Sequence, residues 1–354
     1  MTIHFFINFN LMKQFFARCI PAILVFSMPI FGWAQDRKDK TPVTFEELYD
    51  EPYSVNKLFL GFQPLYGELF ATNVNAGYGV EATFYLKDKM DFKAHLRKTY
   101  SKSFFDFNRD LSDRNSDVSN QAEVYNYYEL GGTYHIKDFD VSSKTKMVLY
   151  KKSMKGNRWA AMVPLHAEVP CKVRKIYGAR LGTVIWNSTV DVNRALKAQS
   201  LTSADLVNDQ GQTLFEASGQ NSDFNIYSNI YAANIYMGGS MSWFRNVAVS
   251  FDKYDEAVDD GLLTLFFDIM FAPSVKLDPI EYQGLSYATT SIKTRSLGFR
   301  AGIDGRFNRT LSWSYGGEFG YRPSAQGQGF FAMFKIAFPV YGTNLDYKVE
   351  SFGK

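Results

Sequence analysis

Cysteine is almost missing from this chain: Cys19 and Cys171 are the two it has. Removal of an N-terminal leader would leave Cys171 alone, so no internal disulfide can form and cysteine usage says nothing of the redox compartment. Histidine is sparse as well, with His95, His135 and His166 the three outside the leader region, which thins the choice of general bases. No run beyond the leader reaches the roughly 20 apolar residues that a spanning helix needs. An excess of one charge is also lacking. Lys and Arg total 39 against 36 Asp and Glu, a net +3 spread along the chain, which gives no reason to expect nucleic acid as a partner.

What the chain does have is alternation. Val74, Ala76, Tyr78, Val80, Ala82, Phe84 and Leu86 are apolar or aromatic, while Asn75, Gly77, Gly79, Glu81, Thr83 and Tyr85 lie between them. Successive side chains of a strand point to opposite faces, so this is a strand with one greasy and one polar face. Met90, Phe92, Ala94 and Leu96 repeat the pattern against Asp91, Lys93, His95 and Arg97, and Phe330, Ala332, Phe334, Ile336, Phe338 and Val340 repeat it near the C-terminus. The apolar share is 46% but mean hydropathy is only −0.22, the balance of a sheet with one face in lipid and one in water.

The N-terminus reads as an export signal. Lys13 and Arg18 precede an apolar run from Cys19 to Phe31, and Gly32-Trp33-Ala34 supplies small residues at the positions a signal peptidase reads. Cleavage before Gln35 is expected, with 1–34 as signal peptide; Met12 is a natural start. The alternative, an uncleaved anchor helix, is disfavoured by the short run.

Candidate strands are Lys57–Tyr66, Thr72–Leu86, Met90–Ser101, Val124–Lys137, Lys144–Lys151, Trp159–Lys172, Lys175–Asn187, Gln212–Ser218, Phe224–Gly238, Met241–Lys253, Gly261–Ser274, Ser291–Arg306, Arg309–Arg322 and Gln328–Tyr341, fourteen in all. Pro64 and the short Gln212–Ser218 weaken two of them, so twelve is the alternative. With fourteen, the long loops at Lys102–Glu123, Ser188–Gly211 and Val275–Thr290 fall on one side and the turns at Lys87–Lys89, Val173-Arg174 and Phe307-Asn308 on the other. The same map puts Trp159 and Trp243 at outer strand ends and Trp313 near an inner end, where amphipathic rings prefer to sit. A soluble β-sandwich is the competing architecture, and it would need fewer long uninterrupted strands.

On the signal peptide, the serial amphipathic hairpins and the closing pair Trp313–Tyr321 and Phe330–Tyr341, the chain resembles the outer-membrane β-barrel proteins of Gram-negative bacteria. The resemblance implies an all-β, closed, antiparallel up-and-down transmembrane barrel over 57–341, a periplasmic segment or small plug at 35–56, a C-terminal tail at 342–354, and residence in the outer membrane. The chain runs on to Lys354 past the last strand, which departs from family members that end on an aromatic residue, although Phe352 lies in that tail.

The polar faces carry a lumen-facing charged cluster, Glu81, Asp91, Lys93, His95, Arg97, Glu129, Arg300, Asp304, Glu318 and Lys335, with His135, Lys137, His166, Glu168, Lys172, Arg180, Asp268, Arg306 and Arg322 in the same set. A charge facing lipid at the bilayer midplane costs about 2 to 4 kcal/mol, so these groups face water or each other. Two readings follow, a hydrated pore with mixed-charge walls or an interior plugged by ion pairs. Inward glycines such as Gly131, Gly302 and Gly320 leave room near the wall, or accept aromatic rings. Pro164 and Pro170 interrupt an otherwise good strand and imply a bulge.

His95 is the best-placed histidine: strand register sets it between Glu81 and Glu129, an ion cluster more than a nucleophile site, since no serine in that register lies beside it. No hydrolase motif is visible and no cofactor or metal is implied. The expected function is a porin-like channel or transporter for small solutes; a surface-exposed binding or scaffold barrel for a protein or polysaccharide comes second and an outer-membrane hydrolase third. Expected partners are outer-membrane lipid and lipopolysaccharide.

Overall fold

The computed structural model describes residues 44–71, 73–86, 89–101, 117–120, 126–150, 165–219, 226–308 and 313–343. In chain order its strands are β1 (Phe45–Asp50), β2 (Leu58–Phe70), β3 (Asn73–Leu86), β4 (Met90–Thr99), β5 (Asn126–Leu149), β6 (Leu165–Asp191), β7 (Tyr227–Phe244), β8 (Val247–Phe251), β9 (Ala257–Asp259), β10 (Gly261–Leu277), β11 (Ile280–Tyr282), β12 (Leu285–Tyr287), β13 (Thr294–Arg295), β14 (Leu297–Phe307), β15 (Ser314–Tyr321), β16 (Ser324–Ala325) and β17 (Phe330–Gly342). Ten of them close an antiparallel barrel in the order β10-β14-β15-β17-β2-β3-β4-β5-β6-β7. Closure pairs every wall strand on both sides, which leaves the lipid no unsatisfied backbone edge.

Alternation is realised along the whole wall. Phe84, Phe92, Phe299 and Phe334 lie on its outer face and are exposed, whereas Glu81, Lys93, Arg300 and Lys335 point inward and are buried. Exposed rings gather toward both rims of this outer face. Tyr78, Tyr100, Tyr128 and Tyr231 lie toward the mouth that carries the long loops; Tyr134, Tyr177, Trp313, Tyr315 and Tyr341 lie toward the mouth where the described chain enters and leaves the wall. An apolar band between two aromatic girdles is what a bilayer demands of such a surface.

The strand number is ten, not fourteen or twelve. The described parts of Val124–Lys137 and Lys144–Lys151 form one strand, β5, and those of Trp159–Lys172 and Lys175–Asn187 form one strand, β6, because their pairing runs unbroken past Asp140↔Arg174 and Val141↔Val173. Val173-Arg174 is therefore no turn. Gly238 to Met241 also continue β7 rather than turning. Gln212–Ser218 forms no strand. Its Thr213-Leu214-Phe215-Glu216 is a capping box, in which Thr213 Oγ1 accepts from Glu216 N (3.2 Å) and Glu216 accepts from Thr213 N (2.9 Å). It opens the short helix α2 (Leu214–Ser218), and a second helix, α1 (Val192–Ala198), precedes it. Because three pairs merge and one segment is helical, the long connections still leave from a single mouth, the loop side. The β3–β4 and β14–β15 strand ends at Leu86, Met90, Phe307 and Ser314 lie at the other, the termini side. Trp243 lies at the termini-side end of β7, not at an outer end, and Trp159 falls outside the described residues.

β5 and β6 have 24 and 27 residues. At about 3.3 Å per residue that is close to 80 Å, far more than the roughly 25 Å apolar band needs, so their paired ends form an arm beyond the termini-side mouth. One face of the arm (Met147, Leu149, Val169, Cys171, Val173) packs on Val247, Val249 and Phe251 of β8, which is itself flanked by β1 and β9. The result is a small sandwich tying the N-terminal strand to the middle of the chain. Pro170 pairs with Lys144 in this arm, where β6 has not yet met β7, so its missing N–H breaks no ladder; Pro164 lies outside the described residues. Asp50 of β1 accepts from the Lys172 N–H (2.8 Å); burial raises its carboxyl above the usual range while that N–H draws it back.

Burial also pushes the Cys171 thiol up. A buried, protonated thiol is a poor nucleophile. Maleimide is therefore expected to label the folded barrel slowly at neutral pH and the unfolded chain at once. Equal rates in the two states would show that the sandwich does not form.

Candidate functional site

The lumen is built from one inward side chain in two along each wall strand. At mid-height these are mostly ionised. Arg300 of β14 is the hub: its Nη2 lies 2.5 Å from Glu129 Oε1 of β5, its Nε 2.9 Å from Asp268 Oδ2 of β10, and its Nη1 3.6 Å from Glu318 Oε2 of β15 and 2.9 Å from Tyr127 Oη. Arg97 of β4 reaches Glu318 (2.9 Å), Lys93 reaches Asp304 (3.4 Å), and Lys335 holds both Glu81 (2.7 Å) and Asp304 (3.0 Å). Arg180 completes Asp268 (2.9 Å), Arg322 holds Glu68 in a two-pronged contact (3.0 and 2.7 Å), and His135 meets Asp91 (3.1 Å). Several of these pairs join strands that are not neighbours in the wall, so they span the lumen.

Aromatic faces line the guanidinium groups. Arg300 lies 4.4 Å from the Tyr236 ring centroid, Arg180 4.2 Å from Phe266, and Arg322 4.1 Å from Phe331. Arginine suits this setting because its delocalised charge is weakly hydrated and stacks on rings.

His95 lies where register predicts, directly across from Glu81 in β3 and Glu129 in β5. Its Nδ1 is 3.4 Å from Glu129 and its Nε2 3.9 Å from Glu81. Each of those carboxylates also has a stronger cation, Arg300 or Lys335. Replacing His95 with Leu is therefore expected to cost only about 1 to 3 kcal/mol, the scale of a lost buried polar partner. A thermal melt in detergent reads this; a collapse as large as that expected for loss of Arg300 would mean that the imidazole carries the cluster.

His166, Glu168, Lys172 and Lys137 do not line the lumen. A bulge between His135 and Lys137 shifts the register, and all four lie exposed on the arm or at its base. Glu68 and Gln63 of β2 were not legible. β2 continues past Tyr66, and a bulge between Gln63 and Tyr66 resets which residues face in. Arg322 opposite, inward yet without a visible partner in the sequence pattern, was the available signal for Glu68.

Apolar layers close both ends of the charged belt. On the loop side, inward Tyr66, Phe70, Trp186, Ile230, Met270 and Phe331 join Val192, Leu196, Leu206, Leu214, Ile280 and Tyr287 of the loop segments in one buried cluster. On the termini side Phe59, Ile176, Phe244 and Leu262 pack together with Tyr85 against them. Between these layers the described lumen holds cavities of about 10 Å³, beside Asp91, Lys93 and His135, and about 20 Å³, beside Glu81 and Arg306. One water occupies roughly such a volume.

His95, Glu129 and Glu318 can bring one ligand atom each to within 4.8 Å of one another, the spacing of a cation site. Guanidinium groups of Arg300 and Arg97 already occupy those carboxylates, and a second cation there would face them at close range. The donor set suits ion pairing better than metal.

Closed wall, lipid-facing band, aromatic girdles and ionised interior together define an outer-membrane-type β-barrel. No protein-family profile and no curated protein matches the chain. Among solved structures, the chain is similar to the P. putida toluene transporter TodX, with 10% identity, 81% of this chain and 88% of that one covered, and a TM-score of 0.24. It is also similar to Pseudomonas putida OprB (9% identity, 81% and 94% covered, TM-score 0.17) and to OmpT, an outer membrane protein of Vibrio cholerae (8%, 83% and 99%, TM-score 0.18). The barrel assignment rests on the chain's own geometry.

Proposed function

We propose that this barrel is a non-conducting platform of the outer membrane, which presents its ordered loop-side cap to a protein or polysaccharide partner rather than passing solutes through its lumen. One observation carries the reading: a belt of paired charges lies between two apolar layers, and the cavities beside Asp91 and beside Glu81 measure about 10 and 20 Å³. An ion would have to cross both layers and displace bridges that span the lumen. A porin-like passage would need the cap core, shared between the wall and the loop segments, to come apart. A hydrolase is disfavoured too, since the His135–Asp91 pair faces only about 10 Å³ of space.

In this reading the signal peptide ends at Ala34, the segment from Gln35 leads into β1 on the periplasmic side, and the loop side is the cell surface. Purified protein in a planar bilayer is expected to give no steady current above the bare membrane. Regular ohmic steps from the intact chain would overturn the proposal in favour of the channel. For orientation, an epitope inserted at Gly211, in an exposed turn of the cap, is expected to be labelled on intact cells. Labelling only after the outer membrane is permeabilised would invert the topology.

A further inference from the structure

Just above the apolar band, the outer face of the wall turns polar along one hairpin. Leu297 and Phe299 of β14 face the lipid, Leu297 being 54% exposed. Arg295, two residues earlier, lies on the same face beyond the band. Thr294 and Arg295 pair with Ala325 and Ser324, so β13 and β16 carry the β14–β15 wall past the membrane rim. The cap is fastened there. Gln199, which ends α1, accepts from Lys293 N (2.8 Å) and donates its Nε2 to Lys293 O (3.1 Å), and Gln326 N donates to the same carbonyl (3.0 Å).

Between cap and rim these contacts hold open a cavity of about 700 Å³, bounded by Thr294, Arg295, Ser296, Leu297, Tyr321 and Gln326. The Arg295 guanidinium lies 5.2 Å from the Tyr321 ring centroid, which fixes it at the cavity wall. Among the described residues no carboxylate lines this cavity, and neither Arg295 nor the exposed Lys293 has an acidic partner. That contrasts with the lumen, where Arg97, Arg180, Arg300 and Arg322 each meet an acid. Below the cavity the wall is apolar: Leu297, Phe299, Phe319 and Phe330 are all exposed.

We propose that this cavity binds the phosphorylated headgroup of a membrane glycolipid, whose acyl chains run down the wall over Leu297, Phe299 and Phe319. A guanidinium makes two parallel hydrogen bonds to a phosphate, and the Tyr321 ring, 5.2 Å from it, gives Arg295 an aromatic neighbour at the site. Thr294, Ser296 and Gln326 add hydroxyl and amide groups suited to sugar hydroxyls. The volume lies in the range that encloses a ligand of several hundred daltons, well beyond a bare phosphate. The site is independent of whether the lumen conducts.

The test titrates the full-length barrel in maltoside detergent with diphosphoryl lipid A, its dephosphorylated form and phosphatidylcholine, reading retained lipid by native mass spectrometry. Retention is expected for diphosphoryl lipid A alone, and Arg295→Ala is expected to weaken it about tenfold, with a larger loss when Lys293→Ala is added. Both side chains are exposed, so the melting temperature should not move, and Lys98→Ala, elsewhere on the outer face of the wall, should leave retention unchanged. Equal retention of phosphatidylcholine, an unaffected Arg295→Ala, or full displacement by millimolar inorganic phosphate would overturn the proposal.

Discussion

Replacing Arg300 with methionine is expected to lower the unfolding transition of the detergent-purified barrel further than any other single change among the lumen pairs. Arg300 is 1% exposed and touches carboxylates from three different strands, Glu129, Asp268 and Glu318. Methionine fills much of the volume but leaves these acids short of a cation in a space that admits little water. Breaking a buried pair by removing one partner costs about 3 to 5 kcal/mol, since the uncompensated charge stays behind. Each acid keeps another partner, namely His95, Arg180 or Arg97, so the fold should survive at low temperature. Arg300→Lys keeps the charge but loses the fork and should fall between. The check is the temperature at which the compact, heat-modifiable form disappears on gels, together with circular dichroism. An unchanged transition would mean that the belt is hydrated and the lumen more open than the packing implies.

Gly320→Val is expected to abolish the compact form. A Cβ at Gly320 would lie 2.1 Å from the carbonyl oxygen of Phe299 and 2.8 Å from the Arg300 Cα, both backbone atoms of the neighbouring wall strand. Neither can rotate away, so β14 and β15 would have to separate next to the hub. Overpacking costs about 1 to 3 kcal/mol where side chains give, and more where main chain must move. Gly317, three residues earlier on β15, meets nothing closer than 3.4 Å, and Gly317→Val is the control that should fold. If both variants assemble alike, the close approach at Gly320 is not a constraint on the wall.

Much of this architecture was legible because period-two patterning is local. Wherever a strand was long and one-sided, as in Asn73–Leu86 and Met90–Thr99, inward and outward residues could be assigned one by one; the pairing of His95 with Glu81 followed from a single tight turn, and its second flank, Glu129, from the next hairpin. Strand number was not legible. β5 and β6 run on outside the membrane, and there the polar Asp138–Ser143 segment reads like a turn although its backbone is paired throughout. Gly238-Gly239 reads the same way, yet Gly238 is required because a Cβ there would lie 2.1 Å from Phe267 O. Bulges hid Glu68, and nothing local distinguishes an ion pair that spans the lumen from a charge that faces water. Pairing across the barrel is set by closure, a property of the whole chain. That is why an open pore and a plugged interior looked alike from the sequence.

A hoop of strands is easily squeezed into an ellipse, since its hydrogen bonds resist stretching far better than they resist flexing. Here Arg300 to Glu129, Arg97 to Glu318 and Lys93 to Asp304 act as spokes across that hoop. All three run between β4–β5 and β14–β15, so they brace one diameter: flattening along it would compress them and flattening across it would stretch them. The wall is therefore stiffened across that diameter, between the cap at one end and the small sandwich at the other.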